Sequence, residues 1–198
     1  MTGQVECWFD FGSNYSYIAV SRITPLARDA RVDIVWRPFL LGPVFKRLGW
    51  DTSPFVLQKE KGEYAFMDTA RQCARYGVPW RRPTTFPRAA VHTMRVAAAF
   101  AEQPWVGDYC RRVMQLNFAE DRDINTDEVA VQVLDELGLD GRKHVQEAHA
   151  EPRRARLRAF SEEAILRKIF GAPTFFVGDE MFWGNDRLED ALARASAG

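Results

Sequence analysis

Apolar side chains recur at every second position at the start of the chain. Val5, Cys7, Phe9 and Phe11 interleave with Glu6, Trp8 and Asp10, the period of a half-buried strand. Gly12 breaks this run, and Ser13 stands as a helix N-cap before Tyr15-Ser16-Tyr17-Ile18-Ala19-Val20. The helix is expected to end near Asp29-Ala30, and Val32 to Phe39 reads as a second strand. From Pro54 to about Ile169 the period becomes helical. Lys61–Tyr76 carries a stripe of Tyr64, Met67, Ala70 and Ala74, and further helices are expected over 89–101, 105–118, 126–138, 141–149 and 152–170. Pro87 is expected in the first turn of the helix over 89–101. At Gly171 the pattern reverts to strands. Thr174–Val177 and Met181–Trp183 flank a Gly178-Asp179 turn. A last helix is capped by Asn185 or Asp186, and Glu189 completes a capping box with Asp186.

The order is strand, helix, strand, a helical block, then two strands and a helix. This is the order of an α/β thioredoxin-like fold (βαβ…ββα) with a large all-helical insertion. The thioredoxin-like part covers 1–42 and 170–198, and the helical insertion covers 43–169. Pro173 directly precedes a strand, where it cannot donate to a ladder, so Ala172-Pro173 is a candidate cis bond. In this architecture that loop lies beside the N-terminus of the first helix.

That N-terminus is where chemistry is expected. Unpaired backbone N–H groups and the positive end of the helix dipole converge there and favour an anion. A redox protein of this architecture places Cys-x-x-Cys at the spot, because the field stabilises a thiolate. Here the two positions are Ser13 and Ser16. The chain cannot supply the sulfur itself, so a thiolate at this position has to come from a cofactor. Ser13 acting only as a helix cap is the competing reading.

Charge and cysteine usage narrow the classes. Lys plus Arg and Asp plus Glu number 27 each, so nothing in the net charge points to nucleic acid or an anionic membrane. No apolar stretch is long enough to span a bilayer. The first strand begins within a few residues of Met1, leaving no room for a leader, which makes the expected location cytoplasmic. Cys7, Cys73 and Cys110 are too scattered for a metal or redox pair. No metal site is expected. A Ser/His hydrolase is excluded for want of a Gly-x-Ser-x-Gly elbow.

Three segments in order, Phe9 to Tyr17, Gly171-Ala172-Pro173-Thr174 and Phe182-Trp183-Gly184-Asn185-Asp186-Arg187, resemble the 2-hydroxychromene-2-carboxylate isomerases. These are glutathione-dependent enzymes related to kappa-class glutathione transferases. Phe39-Leu40-Leu41-Gly42 and Lys61-Gly62-Glu63-Tyr64 extend the resemblance to nearly the whole chain. It implies that Ser13 donates to the glutathione sulfur and holds it as thiolate. It further implies that Ala172, ahead of Pro173, pairs with the cysteinyl backbone, and that Trp183, Gly184, Asn185 and Asp186 hold the γ-glutamyl end. Lys61 is a candidate for the glycyl carboxylate. The implied reaction is reversible thiolate addition to a ring-opened enone, with cis–trans isomerisation. For the aromatic carboxylate substrate, Arg81, Arg82 and Arg88, interleaved with Trp80 and Phe86, are the candidate cations. The resemblance also implies a homodimer. It departs at Asn14, where the family commonly has proline, and at Trp50, which follows Gly49 where the family often has asparagine. A kappa-like transferase that conjugates electrophiles and a non-enzymatic thioredoxin-like binding module stay open as alternatives. A thiol–disulfide oxidoreductase does not, because serine cannot form a mixed disulfide.

Overall fold

The computed structural model describes residues 3–198. β1 (Gly3–Phe9) runs parallel to β2 (Val32–Pro38), with α1 (Asn14–Ala30) as the crossover. β3 (Thr174–Val177) lies antiparallel on the other side of β1, and β4 (Glu180–Trp183) pairs antiparallel with β3, giving the sheet order β2-β1-β3-β4. The thioredoxin-like α/β fold expected from the sequence is therefore present. Between β2 and β3 run α2 (Leu41–Arg47), α3 (Pro54–Leu57), α4 (Lys59–Tyr76), α5 (Val91–Ala99), α6 (Val106–Phe118), α7 (Asp127–Glu136), α8 (Gly141–His149) and α9 (Arg156–Leu166). A 3-10 turn, Asn185–Arg187, leads into α10 (Leu188–Ser196), which packs on α1 and β1.

β1 is covered on both faces, not half-buried as its alternation suggests. Val5, Cys7 and Phe9 are fully buried on one face, and Trp8 is equally buried on the other. Trp8 sits edge-on to Phe39, Phe160 and Phe176, with ring centroids 6.1, 6.4 and 6.4 Å away, a favourable aromatic geometry. One connected apolar core joins these residues to Met94, Val113 and Leu116 of the helical segment.

Three local expectations are corrected. The face that α4 buries is Gly62, Ala65, Thr69 and Cys73, not the Tyr64–Met67 stripe, whose two large members are more than half exposed. The reason is close approach: a Cβ on Gly62 would stand 2.1 Å from the Phe55 carbonyl oxygen, so small residues take the inner face. Pro87 lies ahead of α5 in a cis Phe86-Pro87 segment, and the helix starts at Val91. The last helix has no side-chain cap. Glu189 pairs with Arg22 of α1 instead of closing a capping box. Among the described residues no helix is long and apolar enough to cross a membrane.

Candidate active site

The site is built where β1 ends. Asp10, at the last turn before α1, is a buried carboxylate that accepts from the backbone N–H groups of Gly12 and Leu41, both at 2.7 Å. Burial pushes its pKa up, and the two amide bonds oppose this. The interaction ties the tight turn before Ser13 to the start of α2. The strand pattern alone gives Asp10 no role. A carboxylate two residues ahead of a Gly-Ser turn was the available signal, since Asp side chains commonly bond backbone two residues on.

Ser13 then caps α1 in an extended conformation. Its Oγ accepts from the Ser16 N–H at 3.1 Å and donates to the Ala172 carbonyl at 2.9 Å. The Asn14 and Tyr15 N–H groups, in the first turn, have no intrahelical partner, as geometry requires. They point along the positive end of the dipole of a 17-residue helix. Ala172-Pro173 is cis, as its place before β3 suggests. Thr174 Oγ1 donates to the Gly171 carbonyl at 2.9 Å, and the Gly184 N–H donates to the Pro173 carbonyl at 3.0 Å, fixing this loop against Ser13. The hydroxyl, the helix end and the cis-proline loop thus meet at one point.

The three thiols stay out of it. Cys7, Cys73 and Cys110 are buried and unpaired, and burial pushes the Cys73 thiol up to about 12 and the other two well above the ordinary thiol range.

The Trp183–Asp186 segment flanks the helix end. Trp183 is half exposed, stands T-shaped to Phe170 at 4.9 Å, and lies so close over Gly171 that a Cβ there would be 2.5 Å from Nε1. Gly184 needs to be glycine: its φ is +109°. Asp186 is exposed, its nearest cation Arg187 at 3.5 Å. Asn185 is buried, its side-chain oxygen accepting from Arg22 at 3.0 Å and its amide nitrogen donating to Gln72 Oε1 at 2.8 Å. Both ends of that side chain are committed to the protein, which turns it away from a ligand role and toward an anchoring one.

A polar chain that sequence reasoning missed continues from there. Gln72 Nε2 donates to Asp68 Oδ2 at 2.7 Å, and the Tyr15 hydroxyl donates to the same oxygen at 2.8 Å. Burial first, then the bonded Asp68 carboxylate, then Tyr64 and Asp186, raise the Tyr15 pKa. Asn14, in place of the proline common in the isomerases, donates to Thr69 Oγ1 at 2.6 Å and is buried. Asn14, Tyr15 and Asn185 therefore clamp α1 to α4. Tyr15, Asp68 and Gln72 lie 53 residues or more apart from their partners across that clamp, a separation no local pattern reveals.

The arginines separate into three situations. Arg88 is turned inward, with its guanidinium bound to Asp121 at 2.6 Å and Asn117 Oδ1 at 2.9 Å; it clamps its own loop and is not free to meet a ligand. Asp121 is held down at about 2, first by the Thr84 N–H and then by Arg88. Arg82 is exposed, forms a fork–fork pair with Glu63 at 2.8 and 2.6 Å, and lies over the Phe66 ring at 4.4 Å. Arg81 is exposed, its N–H bound to the Phe118 carbonyl at 2.6 Å. Arg82 lines a cleft of about 460 Å³ with Phe55, Val56, Phe66, Pro83, Thr84 and Phe86. The cleft adjoins the helix end, because Tyr15 in the first turn of α1 packs on Phe55 of the cleft lining at 6.2 Å. Lys61 is exposed on α4. Trp50 packs on Phe45 at 5.9 Å, and Asp51 is exposed.

Comparison with known proteins agrees with this geometry. A family described as "DSBA-like thioredoxin domain" matches residues 4–195. A 2-hydroxychromene-2-carboxylate isomerase of Sphingobium xenophagum is 30% identical over 96% of this chain and 96% of its own. One of Pseudomonas putida is 29% identical over 96% of this chain and 94% of its own. A solved 2-hydroxychromene-2-carboxylate isomerase superposes with a TM-score of 0.85 at 28% identity, over 96% of this chain and 95% of that one. The chain therefore belongs to the DSBA-like thioredoxin domain family, and within it is similar over nearly its whole length to the 2-hydroxychromene-2-carboxylate isomerases.

Proposed function

We propose that this chain is a glutathione-dependent cis–trans isomerase acting on an aromatic-ring-derived carboxylate of the 2-hydroxychromene-2-carboxylate type. The observation that carries the reading is the serine hydroxyl at the N-terminus of α1, set against a cis-proline loop, with serine again three residues on. A disulfide oxidoreductase needs sulfur at those positions, and the buried thiols offer none. The names of the relatives support isomerase chemistry.

The residues fit glutathione. The orphan amides of Asn14 and Tyr15 suit an anionic sulfur, and the Ala172 loop presents a peptide edge to the tripeptide. Asp186, with Asp68 close behind Tyr15, suits the γ-glutamyl ammonium, while Trp183 walls the same side. Asn185 contributes through its backbone, and Lys61, exposed on α4, is the candidate cation for the glycyl carboxylate. When bound, glutathione supplies a nucleophile whose reversible addition to a conjugated enone lets a double bond rotate.

The chain's own contribution is electrostatic. Ser13 Oγ rotates its proton from the Ala172 carbonyl to the sulfur and holds the thiolate, aided by the helix field. The aromatic cleft takes the ring of the substrate, and Arg82 exchanges the Glu63 carboxylate for the substrate carboxylate. Arg81 adds a second exposed cation beside it, and Arg88 positions the loop. We further propose a cytoplasmic protein that acts as a homodimer, with Leu57, Tyr64 and Met67, exposed apolar side chains on α3 and α4, as surface that a second copy would cover.

Calorimetric titration with glutathione, followed by product analysis with 2-hydroxychromene-2-carboxylate, tests this. Binding with turnover to the ring-opened isomer is expected. Binding with release of a glutathione conjugate would mean a kappa-like transferase. No binding would refute both readings and leave a thioredoxin-like binding module.

A further inference from the structure

Three side chains that the proposed reaction does not use converge in the helical segment. His92 is the second residue of α5, Asp127 the first of α7, and His149 the last of α8. Asp127 bridges the two rings: His92 Nδ1 lies 2.8 Å from Oδ1, and His149 Nε2 lies 2.8 Å from Oδ2. Each is about 35–40% exposed, so the cluster is open to solvent on one side. We propose that His92, Asp127 and His149 form a site for one divalent transition ion of the zinc class, with water completing the coordination.

The geometry is near that of such a site. One ligand atom from each residue lies within 4.8 Å of the others. A tetrahedral ion with ligands at about 2.0–2.2 Å needs them about 3.4 Å apart, a rearrangement within reach of small side-chain rotations. Two imidazoles and one carboxylate are a donor set suited to zinc rather than to calcium or magnesium, which prefer all-oxygen shells. The three ligands come from three helices whose ends are already packed together, so the ion would replace the two bridging protons and fasten α5, α7 and α8 at one point.

One neighbour acts against it. Arg95 NH1 lies 2.9 Å from His149 Nδ1 and can only donate, so that nitrogen accepts and the ring proton sits on Nε2, toward Asp127. Binding an ion through Nε2 moves the proton to Nδ1, where it meets the Arg95 donor. Arg95 therefore has to swing away. The site is thus gated by a single cation, and removing that cation should tighten it.

The test is equilibrium dialysis of chelator-treated full-length protein against Zn(II), with Co(II) absorption as a second readout. One ion per chain and a tetrahedral Co(II) spectrum are expected. His92→Ala and His149→Ala should each weaken binding by at least the roughly tenfold that even outer-shell changes cost. Arg95→Met, which keeps the aliphatic stem, should tighten it several-fold. His144→Ala, which alters a histidine outside the cluster, should leave it unchanged. Circular dichroism confirms that each variant is folded, and the wild-type Co(II) spectrum does not depend on any variant. Absence of binding, or binding indifferent to both histidine variants, would overturn the proposal. An unchanged affinity in Arg95→Met would overturn the assignment of Nε2 as the ligand atom.

Discussion

Replacing Ser13 separates two roles that its hydroxyl fills at once. As a cap it accepts from the Ser16 N–H, and as a donor it holds a proton on the Ala172 carbonyl at 2.9 Å. Losing a serine cap to alanine costs about 1 kcal/mol of stability, and leaving the Ala172 oxygen without its partner adds about 1 kcal/mol. A bond to a charged sulfur is worth about 1.5–3 kcal/mol, or about one to two pKa units. Because the hydroxyl gives up the Ala172 carbonyl to reach the sulfur, the net gain is a difference, and the lower end applies. Ser13→Ala should therefore raise the pKa of bound glutathione by about one unit and cut turnover below that pKa about tenfold. The assay is ultraviolet thiolate absorbance against pH, paired with chemical denaturation of the same variant. Ser13→Gly sharpens it, since glycine costs only a few tenths of a kcal/mol at a cap yet carries no donor. If either variant loses stability while the bound thiol pKa and turnover stay at wild-type values, Ser13 is a helix cap and the proposed chemistry is wrong.

Other outcomes follow from the same geometry. Arg82→Leu should lower kcat/KM for a carboxylate substrate about tenfold, the loss of one charge-assisted pair that replaces the Glu63 one, and shift stability by less than about 0.5 kcal/mol because the Glu63 pair is exposed. Glu63→Gln should do the reverse and lower KM, since it frees Arg82; steady-state kinetics reads both. Asp121, whose pKa is held at about 2 by the Thr84 amide and Arg88, stabilises the native state above its unfolded pKa. That contribution should be lost as pH falls from about 4 through about 2, and denaturation of Asp121→Asn should show a flatter slope over this window. Gly171→Ala should push Trp183 out of place, costing about 1–3 kcal/mol by overpacking and weakening glutathione binding in calorimetry.

The chain announces its elements through local chemistry where local chemistry decides them. Ser13, Thr126 and Asp140 cap α1, α7 and α8 by accepting from the third residue on, and α8 spans the residues its period indicates. The Gly178 turn and the proline before β3 are legible for the same reason. What the sequence does not disclose is set by partners far along the chain. Arg88 sits in the same basic, proline-broken loop as Arg82, yet one is buried against Asp121 and the other is exposed over Phe66. The inner face of α4 is not its most apolar one, because burial there is decided by how closely Phe55 approaches Gly62. The Tyr15–Asp68–Gln72–Asn185–Arg22 chain draws on three elements, α1, α4 and the 3-10 turn, each member an ordinary solvated residue in its own segment.

Under the proposed function, that chain bears on why serine would suffice where a redox protein of this architecture places cysteine. A thiolate donated by a bound tripeptide is held well only if the receiving hydroxyl, the orphan amides and the cis-proline loop keep fixed separations. In this protein α1 is fastened at both ends of its first turn. Asp10 grips the turn before it, Asn14 and Tyr15 grip α4, and Arg22, about two turns on, grips Asn185 and so the loop that carries Trp183. Arg22 is itself sandwiched, with its guanidinium 3.5 Å from the Tyr76 ring centre. Asn185→Ala would remove the one residue that links all three. It would leave a nearly buried arginine and the Gln72 amide each short of a partner, at about 2–3 kcal/mol. Its more telling effect would be kinetic. The Trp183–Asp186 loop would lose its anchor to α1, so glutathione affinity should fall while the thiol pKa of the bound fraction, set by Ser13, stays put. A pKa that moved with affinity would show that the anion field and the γ-glutamyl end are not separable parts of the site.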